Sequence, residues 1–244
     1  MEKRKKGIYL LPNLFTTLGL FSGFYSIILT LNSQFVSASI AIFAAMVWDG
    51  FDGRIARLTN TQTAFGAEYD SLSDLISFGL APALLAYIWS LNGLGKLGWL
   101  VTFVYIVCAA LRLARFNTQI GVEDKKYFQG LASPAAASVI ASFVWIAEDY
   151  NFNSSLFTIF LILVTALLMV SNIRYYSFKS TNLKNQVPFK LILFIILIVI
   201  VISVQPSQIL FLLSIAYLLS GIILTPIKIR KKMALKKQKR NYDK

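Results

Sequence analysis

The sequence predicts an all-α fold: a polytopic membrane helical bundle of about eight transmembrane helices, with both termini cytoplasmic. Two observations predict the architecture and a third its orientation. The 244-residue chain is 57% hydrophobic and only 14% charged. Its apolar residues are gathered in runs that approach 20 residues, the length a helix needs to cross about 30 Å of hydrocarbon. Of its 24 Lys and Arg residues, all but Lys96 fall at the termini or at every second turn. The positive-inside rule places that side in the cytoplasm.

Residues 1–10 form a basic N-terminal interfacial segment. It superficially resembles a signal peptide. No small-residue cleavage site follows and a further span comes at once, so the first helix reads as uncleaved. Residues 11–227 read as one integral membrane domain. The first span, 14–31, opens on Pro12-Asn13 and carries Gly19 and Gly23. That G-x-x-x-G spacing permits close helix packing, and it fits a dimer seam and ordinary membrane glycines alike. Spans at 35–58 and 64–89 follow, then a turn marked by Gly93, Gly95 and Gly98. A span at 97–116 leads through a polar loop, 117–127, to a span at 131–147. Pro134 lies in its first turn, where a missing N–H costs nothing. Spans at 156–173, 191–204 and 208–227 complete the set, the first two separated by a polar connection at 174–190. Residues 228–244 form a basic C-terminal tail. Cations flanking the spans should attract anionic lipid head groups.

Composition also excludes chemistries. The net charge of +13 raises the question of a nucleic-acid partner. The basic residues gather at the ends of apolar runs rather than interleaving with aromatics, so no nucleic acid is expected. Cys108 is the only cysteine, which rules out an intrachain disulfide. The chain has no histidine. Ser-His-Asp and Cys-His catalysis, H-E-x-x-H zinc sites and phosphohistidine intermediates are therefore impossible.

The remaining chemistry concentrates between Asp49 and Asp74. The chain reads D-G-F-D-G-R-I-A-R, then eight residues, then G-A-E-Y-D-S-L-S-D. Asp49 and Asp52 are three apart, Asp70 and Asp74 four apart, so each pair shares a helix face. The short connection 58–65 makes the two runs antiparallel neighbours and lets the pairs face each other. Acids among apolar residues are costly and read as functional. Four converging carboxylates repel unless a cation lies among them, and all-oxygen ligands suit Mg²⁺ or Mn²⁺. Such an ion neutralises phosphate charge in phosphoryl-type transfer. Gly50, Gly53 and Gly66 leave space beside the acids, Ala56 keeps the same face shallow, and Arg57 offers a fork for phosphate oxygens. Three other readings compete: a structural ion network, a cation permeation site, and a non-catalytic lipid-binding scaffold. Placement of all four acids near one face, rather than at mid-depth, speaks against permeation.

The pattern D-x-x-D-G-x-x-A-R-x8-G-x-x-x-D-x-x-x-D is met at every fixed position by Asp49, Asp52, Gly53, Ala56, Arg57, Gly66, Asp70 and Asp74. It resembles the signature of the CDP-alcohol phosphatidyltransferases. The resemblance implies a membrane helical enzyme, a homodimer, that uses divalent metal to displace CMP from a CDP-linked alcohol. It implies metal binding by Asp49, Asp52 and Asp70. Asp74 would be the catalytic base and also touch a second metal. Gly53, Ala56 and Gly66 would line the cytidine pocket of CDP-diacylglycerol and Arg57 would bind its pyrophosphate.

Three further stretches look like the serine-using membrane branch of that family in bacteria and archaea. They are E-Y-D-S-L-S-D-L-I-S-F-G-L-A-P-A from Glu68, L-R-L-A-R-F-N from Leu111 and F-Q-G-L-A-S-P-A-A-A from Phe128. One departure is visible: Ala132 stands where the family usually has proline. The branch implies transfer of a phosphatidyl group from CDP-diacylglycerol to L-serine, giving phosphatidylserine and CMP at the cytoplasmic side of the cell membrane. The nearest alternative keeps the chemistry with another acceptor, such as glycerol 3-phosphate, an inositol phosphate or choline. For serine, Arg112 and Arg115 suit a carboxylate or phosphate, Glu68 an ammonium, and Asn117 and Ser133 neutral hydrogen bonds. The same arginines also read as inside anchors, and Asn117 as a helix C-cap.

Overall fold

The computed structural model describes residues 10–59, 61, 63–118, 127–176 and 203–223. Seven helices follow in order: α1 (Leu10–Leu31), α2 (Phe35–Leu58), α3 (Ala64–Leu94), α4 (Lys96–Thr118), α5 (Ser133–Asp149), α6 (Ser155–Val170) and α7 (Pro206–Ile223). Among the described residues, α1 to α4 and α7 are long and apolar enough to cross a membrane. The seven helices fall in seven of the eight stretches expected as spans, of which α5 and α6 are not among the five that qualify by length and composition. The remaining one, 191–204, lies outside the described residues except for its last two positions, as do the first nine residues and the tail from 224.

Alanines occupy many of the interior positions where helices meet. Ala38, Ala45, Ala81, Ala83, Ala86, Ala109, Ala136, Ala137 and Ala141 have no exposed surface. Phe21, Phe24, Leu31, Trp99, Phe103, Leu156 and Phe160 point outward. Lipid is as apolar as leucine, so bulk can face out while small residues let helix backbones approach. The helix α5 is the most enclosed, with ten of its 17 residues buried. Helix α2 packs along α5, and α4 along α6. Gly19 and Gly23 serve a seam inside the chain. A Cβ on Gly23 would lie 2.6 Å from Ser77 Cα, and Ser77 Oγ donates to the Gly19 carbonyl at 3.2 Å. This draws α1 against α3.

Helix α3 is not uniform. α-Helical turns at Ala64–Asp74 and Ala81–Ala86 alternate with wider, π-type turns at Leu75–Leu80 and Tyr87–Leu91. Pro82 explains part of this. It has no N–H, so the Phe78 carbonyl four residues earlier loses its α-helical donor. Tyr105 of α4 supplies a hydroxyl in its place, 3.2 Å away. The first π-type segment begins at the residue after Asp74, and such widened turns recur at functional sites.

Two expectations need correction. The turn after α3 is made by Gly95, whose φ of 57° and ψ of −126° suit glycine alone. Gly98 instead lies within α4, where its bare Cα admits the Leu91 carbonyl. The polar connections at 117–127 and 174–190 also hold a little β structure. Strand β1 (Tyr127–Gln129) pairs antiparallel with β2 (Arg174–Tyr176). Gly130, at φ 80°, then donates its N–H to the Ile173 carbonyl at 2.8 Å. Runs of three residues are too short to show strand periodicity, so an all-α reading overlooks them.

Candidate active site

The acids lie at one end of the bundle because α2 ends there and α3 begins there. Thr63 caps α3, its Oγ1 accepting from the Gly66 N–H at 3.0 Å. A Cβ on Gly66 would sit 3.1 Å from that oxygen and 3.4 Å from Asn13 Oδ1, so only glycine fits comfortably. Across the turn, carboxylate oxygens of Asp49, Asp70 and Asp74 come within 4.8 Å of one another, and all three residues are half-buried. Asp52 lines the same pocket and is 5% exposed. Thr16, Gly19, Ala45, Ser73, Ser77 and Phe78 complete the lining.

Helix α1 is the strut between the two acid-bearing stretches. Thr16 Oγ1 lies 2.9 Å from Asp52 Oδ2 and 3.1 Å from the Pro12 carbonyl, so its single proton is shared. Ser73 Oγ, beside Asp74, donates to the Thr16 carbonyl at 3.2 Å. Thr17 and Tyr69 meet through their hydroxyls at 2.9 Å. Sequence reasoning missed Thr16. A threonine in an apolar span resembles packing, and only its depth, level with the acids, could have marked it.

Three like charges at this spacing in a poorly solvated pocket repel strongly. The donor set is all oxygen and preformed by two helices, and it fits a hard divalent cation. Gly50 and Gly53 have open space where a Cβ would be, which is room beside the acids rather than a helix seam. Ala56 lies seven residues after Asp49 on α2, on its face, and Arg57 follows it in the same helix.

The five residues expected on the acceptor side divide into three arrangements. Arg112 Nη1 donates to Ser133 Oγ at 2.5 Å, and its guanidinium lies 5.9 Å from the Phe116 ring centroid. It also lies within electrostatic range of Asp74 and Asp49. Ser133 is fully buried at the first residue of α5. Asn117 Nδ2 donates to Glu68 Oε2 at 3.2 Å while its Oδ1 accepts from Ser71 at 3.1 Å, tying α4 to α3. Arg115 is occupied elsewhere. It donates to Gln129 Oε1, to Asn172 Oδ1 at 2.7 Å and to the Val170 carbonyl at 3.4 Å. It thereby clamps β1 and the end of α6 to α4. Behind this clamp Tyr175 is fully buried and donates to the Leu218 carbonyl of α7 at 3.1 Å. Burial, with Tyr217 beside it, pushes its phenol up to about 12, so it stays a neutral donor.

Comparison with known proteins agrees with this geometry. The sequence model described as CDP-alcohol phosphatidyltransferase matches residues 9–170. The chain is 39% identical to the CDP-diacylglycerol–serine O-phosphatidyltransferase of Helicobacter pylori, over 88% of this chain and 91% of that protein. It is 36% identical to the archaetidylserine synthase of Methanothermobacter thermautotrophicus, over 71% of this chain and 72% of the relative. A CDP-diacylglycerol–serine O-phosphatidyltransferase of Mycobacterium tuberculosis is 34% identical over 70% of this chain and 62% of its own length.

Proposed function

The chain belongs to the CDP-alcohol phosphatidyltransferase family, and on that premise we propose that it transfers a phosphatidyl group from CDP-diacylglycerol to the hydroxyl of L-serine, forming phosphatidylserine and CMP. The observation that carries this reading is the convergence of Asp49, Asp70 and Asp74 within 4.8 Å. The names of the relatives, bacterial and archaeal alike, point to serine as the acceptor.

Held by Asp49, Asp70 and Asp74, with Asp52 alongside, Mg²⁺ or Mn²⁺ would neutralise pyrophosphate charge and acidify the attacking hydroxyl. Gly53 and Ala56 leave room for the cytidine, Gly66 lines its pocket against Thr63 and Asn13 rather than as open space, and Arg57 holds the pyrophosphate. Arg112 meets the serine carboxylate and Glu68 the ammonium. Ser133 and Asn117 orient those two charges, and Arg115 acts on them through the β1 clamp. Asp74 takes the hydroxyl proton. The serine oxygen then bonds to the β-phosphorus as the bond from that phosphorus to the CMP oxygen breaks. The unit is residues 11–227, a homodimer in the cell membrane with its site on the cytoplasmic side.

The test is CMP release by purified protein with CDP-diacylglycerol and Mn²⁺ or Mg²⁺, with and without L-serine, beside Asp74→Asn. Serine-dependent release that vanishes in the variant is expected. Release only with another alcohol would overturn the acceptor, and no release from folded protein would overturn the reaction.

A further inference from the structure

Asn13 lies in the first turn of α1. It stands three residues, about 4.5 Å of helical rise, before Thr16, whose hydroxyl reaches Asp52. Asn13 Oδ1 is 3.4 Å from where a Cβ of Gly66 would be, so the amide rests over the bare Cα of that glycine. Asn13 is half-buried, and among the described residues its amide has no hydrogen-bond partner. Its backbone, by contrast, is tied down. Thr17 Oγ1 donates to the Asn13 carbonyl at 2.7 Å and meets the hydroxyl of Tyr69, the neighbour of Asp70, at 2.9 Å. The amide therefore projects from a turn anchored to an acid-bearing helix, with its donors and its acceptor still to be matched.

Asn13 also lines a cavity of about 370 Å³ with Leu11, Leu14 and Thr17, a volume in the range of small-ligand sites. Leu11 and Leu14 are exposed. Two leucines flanking an amide suit a flat ring with apolar faces and a polar edge. A CDP-linked donor carries one such ring, the cytosine base. On its edge an amino donor stands beside a ring-nitrogen acceptor. An asparagine amide offers the complementary pair, an oxygen that accepts and an NH₂ that donates. The order along α1 fits as well. A nucleoside diphosphate lying along this helix puts its base at Asn13 and its phosphates at the acids one turn further on.

We propose that Asn13 is a specificity-determining residue for the donor: its side-chain amide hydrogen-bonds the Watson–Crick edge of the cytosine, beside Gly66. This rests on the CDP-diacylglycerol reading above and on the pocket assigned there to Gly66. It gives Gly66 two tasks: its N–H is capped by Thr63, and its missing side chain admits the amide. The competing account, a polar residue that only faces solvent at a helix start, predicts no dependence on the base.

The experiment uses full-length protein in detergent with Mn²⁺ and compares wild type, Asn13→Ala and Asn13→Asp, which keeps the shape and loses the donor. Calorimetry reads the Kd of CMP and of pyrimidin-2-one riboside monophosphate, in which hydrogen replaces the cytosine amino group. KM for CDP-diacylglycerol, KM for L-serine and the thermal midpoint are read alongside. Wild type should bind the analogue about five- to tenfold more weakly than CMP. Asn13→Ala should raise the CMP Kd by at least that factor and bind the two nucleotides alike. Its KM for CDP-diacylglycerol should rise with the CMP Kd, while the serine KM and thermal midpoint hold. Asn13→Asp should weaken CMP binding as well. An unchanged CMP Kd in Asn13→Ala overturns the proposal. So does a variant that still prefers CMP over the analogue by the wild-type factor, or one whose thermal midpoint falls while the KM values of both substrates rise. If wild type binds no CMP, the donor reading itself fails, a result distinct from these.

Discussion

The Tyr105 hydroxyl donates to the Phe78 carbonyl at 3.2 Å, the carbonyl whose α-helical donor Pro82 cannot supply. Both residues are buried, at 0% and 1% exposure, so water cannot replace the bond. Tyr105→Phe removes this donor from a buried carbonyl and should destabilise the protein by about 1–3 kcal/mol. Thermal unfolding in detergent checks this. An unshifted midpoint would mean that the widened turn satisfies itself.

Thr16 sits behind the acids rather than among them. Its hydroxyl orients Asp52 from α1, and partners of this kind tune metal affinity by about 10–100-fold. Thr16→Val should weaken the apparent affinity for Mn²⁺ in that range, with maximal turnover recovered at saturating ion. Metal titration of CMP release separates this from Asp49→Asn, in which added ion should not restore turnover.

Arg112 and Arg115 are one helical turn apart and should fail differently. Arg115→Lys replaces a guanidinium that reaches three acceptors on β1, the segment after α6 and α6 itself. Lysine cannot span them. A loss of about 1–3 kcal/mol in stability is expected, with a smaller effect on the serine KM. Arg112→Lys should show the reverse: near-normal stability and a raised serine KM. Equal effects from both would contradict the division.

The backbone of Ala132 holds φ −64° and ψ 141°. Proline fixes that φ. Ala132→Pro should therefore stabilise the protein by about 0.4–1 kcal/mol, by restricting the unfolded chain. A lowered thermal midpoint would show that the Leu131–Ala132 backbone cannot accept the ring.

Much of the bundle was legible because hydropathy and helix length obey one constraint, the thickness of the bilayer. The acids were legible because charge in an apolar run is conspicuous and its spacing fixes a face. What escaped notice carries no such contrast. Thr16 and Tyr105 look like ordinary members of apolar spans, and their roles depend on which helix lies opposite. The widened turns of α3 shift register without altering hydropathy. Gly98 was placed in a turn because glycine serves turns and close approaches equally well. The pairing of Arg115 with Gln129 and Asn172 joins residues 14 and 57 positions apart, a closure that local pattern does not encode.

Helix α5 has 17 residues, about 25 Å at helical rise, against roughly 30 Å of hydrocarbon. It is thus shorter than a full crossing, with an exposed end at Glu148 and Asp149 and a buried end at Ser133, the acceptor for Arg112. The guanidinium therefore rests on the terminus of an enclosed helix, a footing made of protein and not of solvent.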